Sequence, residues 1–221
     1  MSRTVLGLAV AGLMTLAAAD VRAAFIVEAH SSGKANANFT GNTTSASTKS
    51  LAVGLTATNS VFGGTGTNVD TDPDRYVFSY TPGTNADNTT FTAGDELGPG
   101  LLASGVTGGT TGKYNVYVTW PATTNVNTSG TDITVTQDGA SIVHAAVDQN
   151  GAVAGADNWR LLGTVDLTAG TTYTVTMEAN STAFVSQRAH GVMWEAAPVP
   201  EPASLSLLGL AAAGLLGRKR R

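Results

Sequence analysis

Short runs in which apolar and polar residues alternate cover most of the chain between its two ends. The period is two residues at 76–80, 114–120, 133–136 and 173–178, and almost no stretch follows the period of a helix. The apolar positions predict an inward face that holds Tyr76, Phe78, Tyr80, Tyr114, Val116, Val118, Trp120, Ile133, Val135, Tyr173, Val175 and Met177. This pattern predicts an all-β fold, an antiparallel β-sandwich of jelly-roll type.

Two dipeptides predict where strands reverse. Asp138-Gly139 is a preferred pair for a type I′ turn, which predicts a hairpin that begins with residues 133–136. Ala169-Gly170 predicts a second hairpin, between the runs on either side of it. Those two runs are residues 161–167 and 173–178, and further strands are expected at 25–29, 51–55, 183–185 and 191–195. The polar stretch at 31–50 stays open as a long loop or a solvated edge hairpin.

Residues 1–23 have the features of a secretory signal peptide. Arg3 supplies the positive start, residues 5–19 are apolar or small, and Val21-Arg22-Ala23 offers the small residues that signal peptidase requires. A buried core helix is the alternative, and the charges that follow the apolar run fit it less well. We therefore expect signal peptidase to remove a short N-terminal helix.

The C-terminus combines four elements in a fixed order. Val199, Pro200, Glu201 and Pro202 precede an apolar run at 203–217, and the chain ends with the basic cluster Arg218, Lys219, Arg220 and Arg221. The apolar run is shorter than the ~20 residues of an ordinary membrane-spanning helix. Basic residues at its end favour the cytoplasmic side. The pattern predicts a short transmembrane helix that holds the chain at the inner membrane transiently, with a plain tail anchor as the alternative.

This C-terminal segment resembles the PEP-CTERM sorting signal. The resemblance implies recognition by an exosortase, a membrane enzyme of cysteine-protease or transpeptidase type. It also implies a Gram-negative host that makes exopolysaccharide. The chain would then divide into a signal peptide at 1–23, a β-sandwich domain at 24–197 and a sorting signal at 198–221.

Composition and charge narrow the choice of partners. Six of the 12 basic residues lie in the two terminal segments, so the other six share the body with nearly all of the 16 acids. An acidic domain without a basic patch does not suit binding of a phosphate backbone, so nucleic acid is excluded as a partner. The chain has no cysteine, which excludes thiolate metal sites and cysteine nucleophiles.

Four segments follow one another in the second half of the body, at 112–121, 147–150, 158–163 and 167–170. In this order they resemble golvesin-like β-sandwich domains, which accompany xanthan lyases and other bacterial surface proteins. The acid that usually precedes the last strand is absent, because this part of the chain is Arg188-Ala-His-Gly-Val. The resemblance implies an accessory, non-catalytic domain.

Few residues are candidates for binding or catalysis. Asp70, Asp72 and Asp74 place three carboxylates at alternate positions, which leaves open a calcium loop or a solvated acidic turn. Trp159 opens a strand after a Gly/Asp loop and is the best candidate for an exposed surface that contacts glycans. No other metal site and no catalytic residue is predicted. The adjacent acids Asp95 and Glu96 point to opposite faces of a strand.

The three histidines are His30, His144 and His190, and their spacing does not match a metal site. We expect them to be structural residues that are exposed or half-buried. The sequence thus predicts a non-catalytic surface or extracellular-matrix protein that is associated with exopolysaccharide or biofilm. Two alternatives stay open: a polysaccharide-acting enzyme or its carbohydrate-binding accessory module, and a calcium-dependent adhesin.

Overall fold

The computed structural model describes residues 21–41, 45–63, 75–105, 108–124, 126, 130–180 and 187–198. These residues form strands, one 3-10 turn at Asn36–Asn38 and connecting loops. The strands are β1 (Val21–Glu28), β2 (Phe39–Gly41), β3 (Ser45–Thr48), β4 (Asn59–Gly63), β5 (Arg75–Tyr80), β6 (Thr89–Thr92), β7 (Glu96–Gly98), β8 (Leu101–Leu102), β9 (Gly112–Thr119), β10 (Thr131–Val135), β11 (Ile142–Val147), β12 (Arg160–Leu167), β13 (Tyr173–Ala179), β14 (Gln187–Ala189) and β15 (Gly191–Ala196).

Two five-stranded sheets make up the sandwich. The first has the order β12-β9-β15-β1-β6 and the second the order β11-β10-β13-β5-β2, and their strands pair antiparallel. Without the edge strands β6 and β2, each sheet has four strands, and the chain passes between the sheets as in a jelly roll. The predicted antiparallel β-sandwich is therefore confirmed.

The core lies between the two sheets and is rich in aromatic side chains. All the alternate positions predicted to face inward are buried. Phe25 stacks on Tyr80 with ring centroids 4.9 Å apart, and Tyr80 also contacts Trp194 and Tyr114 at 5.5 and 5.8 Å. Aromatic pairs at these separations add to the stability that area burial provides.

The outer face of the first sheet is covered as well over β1, β15 and the second half of β9. Phe91, Leu97 and Ala103 pack against Tyr117 and Met193, which point away from the sandwich core. Every residue of β15 is consequently buried. A sheet that is buried on both faces has strands that are apolar at nearly every position.

One predicted connection, one predicted turn type and one predicted strand were wrong. β12 pairs with β9 while β13 pairs with β10 and β5, so the turn at Ala169-Gly170 leads from one sheet to the other. β10 and β11 form the hairpin that was predicted around Asp138-Gly139. Gly139 has a positive φ of 92° but Asp138 does not, so the turn is not of type I′. Residues 51–55 form an irregular loop. Turn residues specify where a chain reverses, and they do not specify which strand it then joins.

Some predictions fall outside the described residues. They are the strand at 183–185, the helices of the signal peptide and of the C-terminal segment, Asp70, Asp72, Asp74, and the sorting residues from Val199 onward. Within the described ranges, no helix is long and apolar enough to cross a membrane. β1 begins at Val21, so cleavage after residue 23 would shorten this strand at its start.

The pairing register of the first sheet defines two ends of the sandwich. Ala196 lies opposite Tyr114 at one end, from which the C-terminal segment departs, and we call this the tail end. Gly191 lies opposite both Thr119 and Glu28 at the other end, which we call the far end. The five residue steps from Gly191 to Ala196 separate the two ends by about 17 Å.

Candidate functional site

A groove of about 580 Å³ opens at the far end of the sandwich. One wall is the β7–β8 hairpin, and the other is the segment 152–161, which runs into β12. A smaller groove of about 300 Å³ adjoins it along the loop 51–53. The two grooves share Pro99 and Asn158 in their lining, so they form one continuous surface.

Exposed apolar side chains concentrate around these grooves. The described residues include five large apolar side chains that are exposed: Leu51, Val53, Leu102, Val143 and Leu161. Leu51 and Val53 line the smaller groove, Leu161 lines the larger one, and Leu102 follows the lining residue Leu101. Single apolar residues scattered over a surface are normal, whereas a cluster of them marks a surface that another molecule covers.

Arg160 is the one cation in the lining of the larger groove. It is the first residue of β12 and lies opposite Val118 in the sheet. Among the described residues, its guanidinium has no hydrogen bond or ion pair, whereas Lys113 pairs with Asp166 at 2.8 Å. Partial burial lowers the pKa of Arg160, which reflects the loss of water around its charge.

Trp159 lies beneath the groove, so the prediction of an exposed glycan-contacting ring was wrong. Its side chain is 1% exposed, and its indole Nε1 donates to the Val53 carbonyl at 2.9 Å. Its backbone N–H donates to the Leu97 carbonyl at 3.2 Å. Trp159 therefore holds the loop 51–53 and the β7–β8 hairpin together, because a buried indole N–H needs a partner.

The buried carboxylate of Glu28 holds the loop 50–57 against the sheet. It accepts hydrogen bonds from the backbone N–H groups of Thr56 and Ala57, from the Thr56 hydroxyl at 2.6 Å and from the Lys34 N–H at 2.8 Å. Burial alone raises the pKa of a carboxylic acid. Here the contacts with His190 and these donors outweigh it and lower the pKa of Glu28 from 4.5 to about 2.

His190 is fully buried beside Glu28, so the expectation of an exposed or half-buried histidine was wrong here. Its Nδ1 accepts a hydrogen bond from the Ser50 N–H at 2.7 Å, so in the neutral ring Nε2 carries the proton. Nε2 lies 3.4 Å from Glu28 Oε1, a long contact for a hydrogen bond. The sequence carries one local sign of this pair: Glu28 and His190 each adjoin a run of apolar residues, where a charged or polar side chain is unusual.

Ser50, His190 and Glu28 adjoin one another, but their geometry does not match a nucleophilic triad. The Ser50 hydroxyl pairs with the Thr119 hydroxyl at 2.7 Å, and the imidazole accepts from the Ser50 backbone rather than from its hydroxyl. All three side chains are at most 2% exposed. A nucleophile needs its hydroxyl on the base and access for a substrate.

The same network continues into the groove wall. Thr119 Oγ1 donates to the Gly155 carbonyl at 3.1 Å, and the Leu51 N–H donates to Asp157 Oδ1 at 3.1 Å. Asp157 itself has a positive φ of 59°. Hydrogen bonds therefore connect the buried Glu28–His190 pair to both loops that border the groove.

The other candidate residues lie apart. Asp95 accepts from the Thr92 N–H within a turn, and Glu96 lines the smaller groove. The ring of His30 contacts Ser32, and the ring of His144 contacts the Leu162 carbonyl. Within the part of the chain that the structure describes, no three His, Asp or Glu side chains are grouped to hold a metal ion.

Comparison with known proteins agrees with both the fold and the tail. The structure of a Paenibacillus xanthan lyase is similar, with a TM-score of 0.51 and 20% identity over 80% of this chain. The chain spans 13% of the length of that protein, and the similarity shows the fold alone. No curated protein matches the chain. Residues 198–221 match the PEP-CTERM protein-sorting motif, which indicates an exported, surface-directed protein that an exosortase processes.

Proposed function

We propose that the mature protein is a non-catalytic component of the cell surface or extracellular matrix of a Gram-negative bacterium, where it associates with exopolysaccharide. The sorting motif directs it there, after a transient stage at the inner membrane. The observation that carries the proposal is the position of the groove. It opens at the far end, while the sorting segment departs from the tail end.

This placement suits a protein that is processed at its C-terminus. The Ala197 N–H donates to the Lys113 carbonyl at the tail end, immediately before the sorting motif. The groove lies at the opposite end of the domain, so removal of the C-terminal segment leaves all of its lining residues in place.

The two buried acids do not form a hydrolytic pair. Glycoside hydrolysis needs two carboxyl groups on either side of one bond. The fully shielded carboxylates of the described residues are Glu28 and Glu195, which lie at opposite ends of the first sheet. Calcium binding by Asp70, Asp72 and Asp74 stays a separate prediction, because these residues lie outside the described ranges.

The test is to incubate the processed protein with exopolysaccharide from its own host and separate the mixture by size. We expect the protein to elute with the polysaccharide, whose length stays unchanged. Shortened polysaccharide would support the enzyme alternative, and protein that elutes entirely alone would contradict the association. Addition of a calcium chelator distinguishes the adhesin, whose association would then disappear.

A further inference from the structure

We infer that the larger groove binds a carboxylate-bearing sugar, a uronic acid within a polysaccharide, through the guanidinium of Arg160. This inference rests on the proposed function and deepens it by naming the ligand class. The groove volume of about 580 Å³ falls within the ~300–1,000 Å³ typical of sites for small molecules.

The charge of Arg160 is the first step of the argument. Acids far outnumber bases in the body of this protein, yet Arg160 has no carboxylate partner among the described residues. A guanidinium presents its N–H groups in a fork that fits a carboxylate through two parallel hydrogen bonds. Partial loss of water around the charge makes such a partner more favourable.

The lining of the groove is the second step. Pro99, Leu101, Val153 and Leu161 supply aliphatic surface, and Asn158 supplies an amide near Arg160. The C–H faces of a sugar ring pack on aliphatic surface, and its hydroxyls bond to an amide. Since the Trp159 ring is buried, it offers no stacking surface. An ion pair is then the main source of affinity, which favours an acidic sugar over a neutral one.

The rigidity of the groove walls is the third step of the argument. The loop 51–53 and the segment 155–157 are tied to each other and to the sheet by the bonds of Trp159, Thr119 and Asp157. A site whose walls are already ordered loses less conformational entropy on binding. The groove is thus suited to bind a rigid ring.

The experiment measures binding of the processed protein to polygalacturonate and to the same polymer after full methyl esterification. Esterification removes the charge and keeps the sugar backbone. We expect binding to the free acid only, and a loss of about tenfold or more in affinity for Arg160→Gln, because hydrogen bonds to charged groups are the strong ones.

The matched control is Arg75→Gln, which removes the same charge from an exposed arginine on the second sheet. Its affinity should change by less than about twofold, since exposed charges contribute little. A second variant, Ala154→Phe, fills the groove from an exposed position and leaves Arg160 in place. It should also weaken binding by about tenfold or more, because it occupies the space of the sugar ring. Thermal unfolding checks that each variant is folded.

Several results would overturn the inference. They are equal binding of the acid and its ester, binding of neither polymer, and equal effects of the Arg160 and Arg75 substitutions. Equal binding of poly-glutamate would show that charge without a sugar suffices. Self-association that Ala154→Phe abolishes, without polymer binding, would assign the groove to a second copy of the chain. Each of these outcomes leaves the C-terminal processing and the matrix association open to their own tests.

Discussion

The far end and the tail end of the sandwich each contain one buried glutamate. The surroundings of the two residues shift their pKa values in opposite directions. Glu28 ends β1 at the far end, and Glu195 lies on the neighbouring strand β15 near the tail end. Both are at most 2% exposed. The pKa of Glu28 is lowered to about 2, whereas burial raises the pKa of Glu195 above its usual value.

The balance between burial and hydrogen bonding explains this difference. Glu28 faces four donors and the His190 ring. Glu195 also faces several donors, among them the Ser104 N–H at 2.8 Å and the Tyr117 hydroxyl at 3.5 Å, but it has no histidine beside it and the effect of burial prevails. Burial penalises either charge, so the sign of the shift depends on what replaces the water. The far end therefore uses a fully bonded charge to order the loops beside its groove.

Substitution of the two glutamates should give the largest difference between the two ends in the free energy of unfolding. Glu28→Gln keeps the side-chain volume but loses charge-assisted bonds and opposes an amide to buried N–H donors. We expect a loss of about 4 kcal/mol in the free energy of unfolding at pH 7, measured with urea. Glu195→Gln should change it by less than about 1 kcal/mol. Equal losses for both variants would contradict the proposed contrast between the ends.

The pH dependence should show the same contrast with a somewhat smaller effect. A lowered pKa stabilises the fold above the unfolded value of 4.5, and this contribution disappears as the pH falls towards 2. It amounts to about 3 kcal/mol at most for Glu28. The raised pKa of Glu195 acts with the opposite sign, because its contribution is present at low pH and is lost as the pH rises.

Urea titrations of the wild type and Glu28→Gln at several pH values test this prediction. The gap in stability between them should narrow by about 3 kcal/mol from pH 7 to pH 2. Glu195→Gln is the control, and its gap to the wild type should not narrow in this way as the pH falls. A gap for Glu28→Gln that stays constant would show that the carboxylate is not ionised preferentially in the fold.

Two glycines, one at each end, allow the tightness of packing at the two ends to be compared. Gly155 beside the groove and Gly170 in a tail-end turn both have positive φ, at 103° and 84°. A Cβ on Gly155 would lie 2.3 Å from the Trp120 ring, while one on Gly170 meets no atom within 4 Å. Gly155→Ala should therefore cost about 2 kcal/mol more than Gly170→Ala, whose cost is backbone strain only. Equal melting temperatures for the two variants would contradict this account of the groove wall.

The sequence predicted features that depend on neighbouring residues and missed those that depend on distant ones. Alternation identified the core faces of β5, β9, β10 and β13, because side chains on one face recur every two residues. The sorting motif was readable because it is contiguous. The pairing of Glu28 with His190 could not be read from the sequence, because these two residues come from opposite ends of the chain.

The position of Trp159 was missed for a related reason. Its burial depends on the β7–β8 hairpin folding over the outer face of the first sheet, which no local pattern of Trp159 encodes. Likewise, Ala169-Gly170 signals a reversal but does not tell which sheet receives the next strand. The groove as a whole arises from these long-range contacts.

The intact mass of the protein recovered from its native host tests the central claim most directly. Export and exosortase processing predict a chain that lacks the N-terminal segment and ends beside Pro200-Glu201-Pro202, so that only the sandwich domain with its groove remains. The substitution Glu201→Ala should leave the C-terminal segment attached. A mature wild-type protein whose mass includes every residue through Arg221 would contradict the claim.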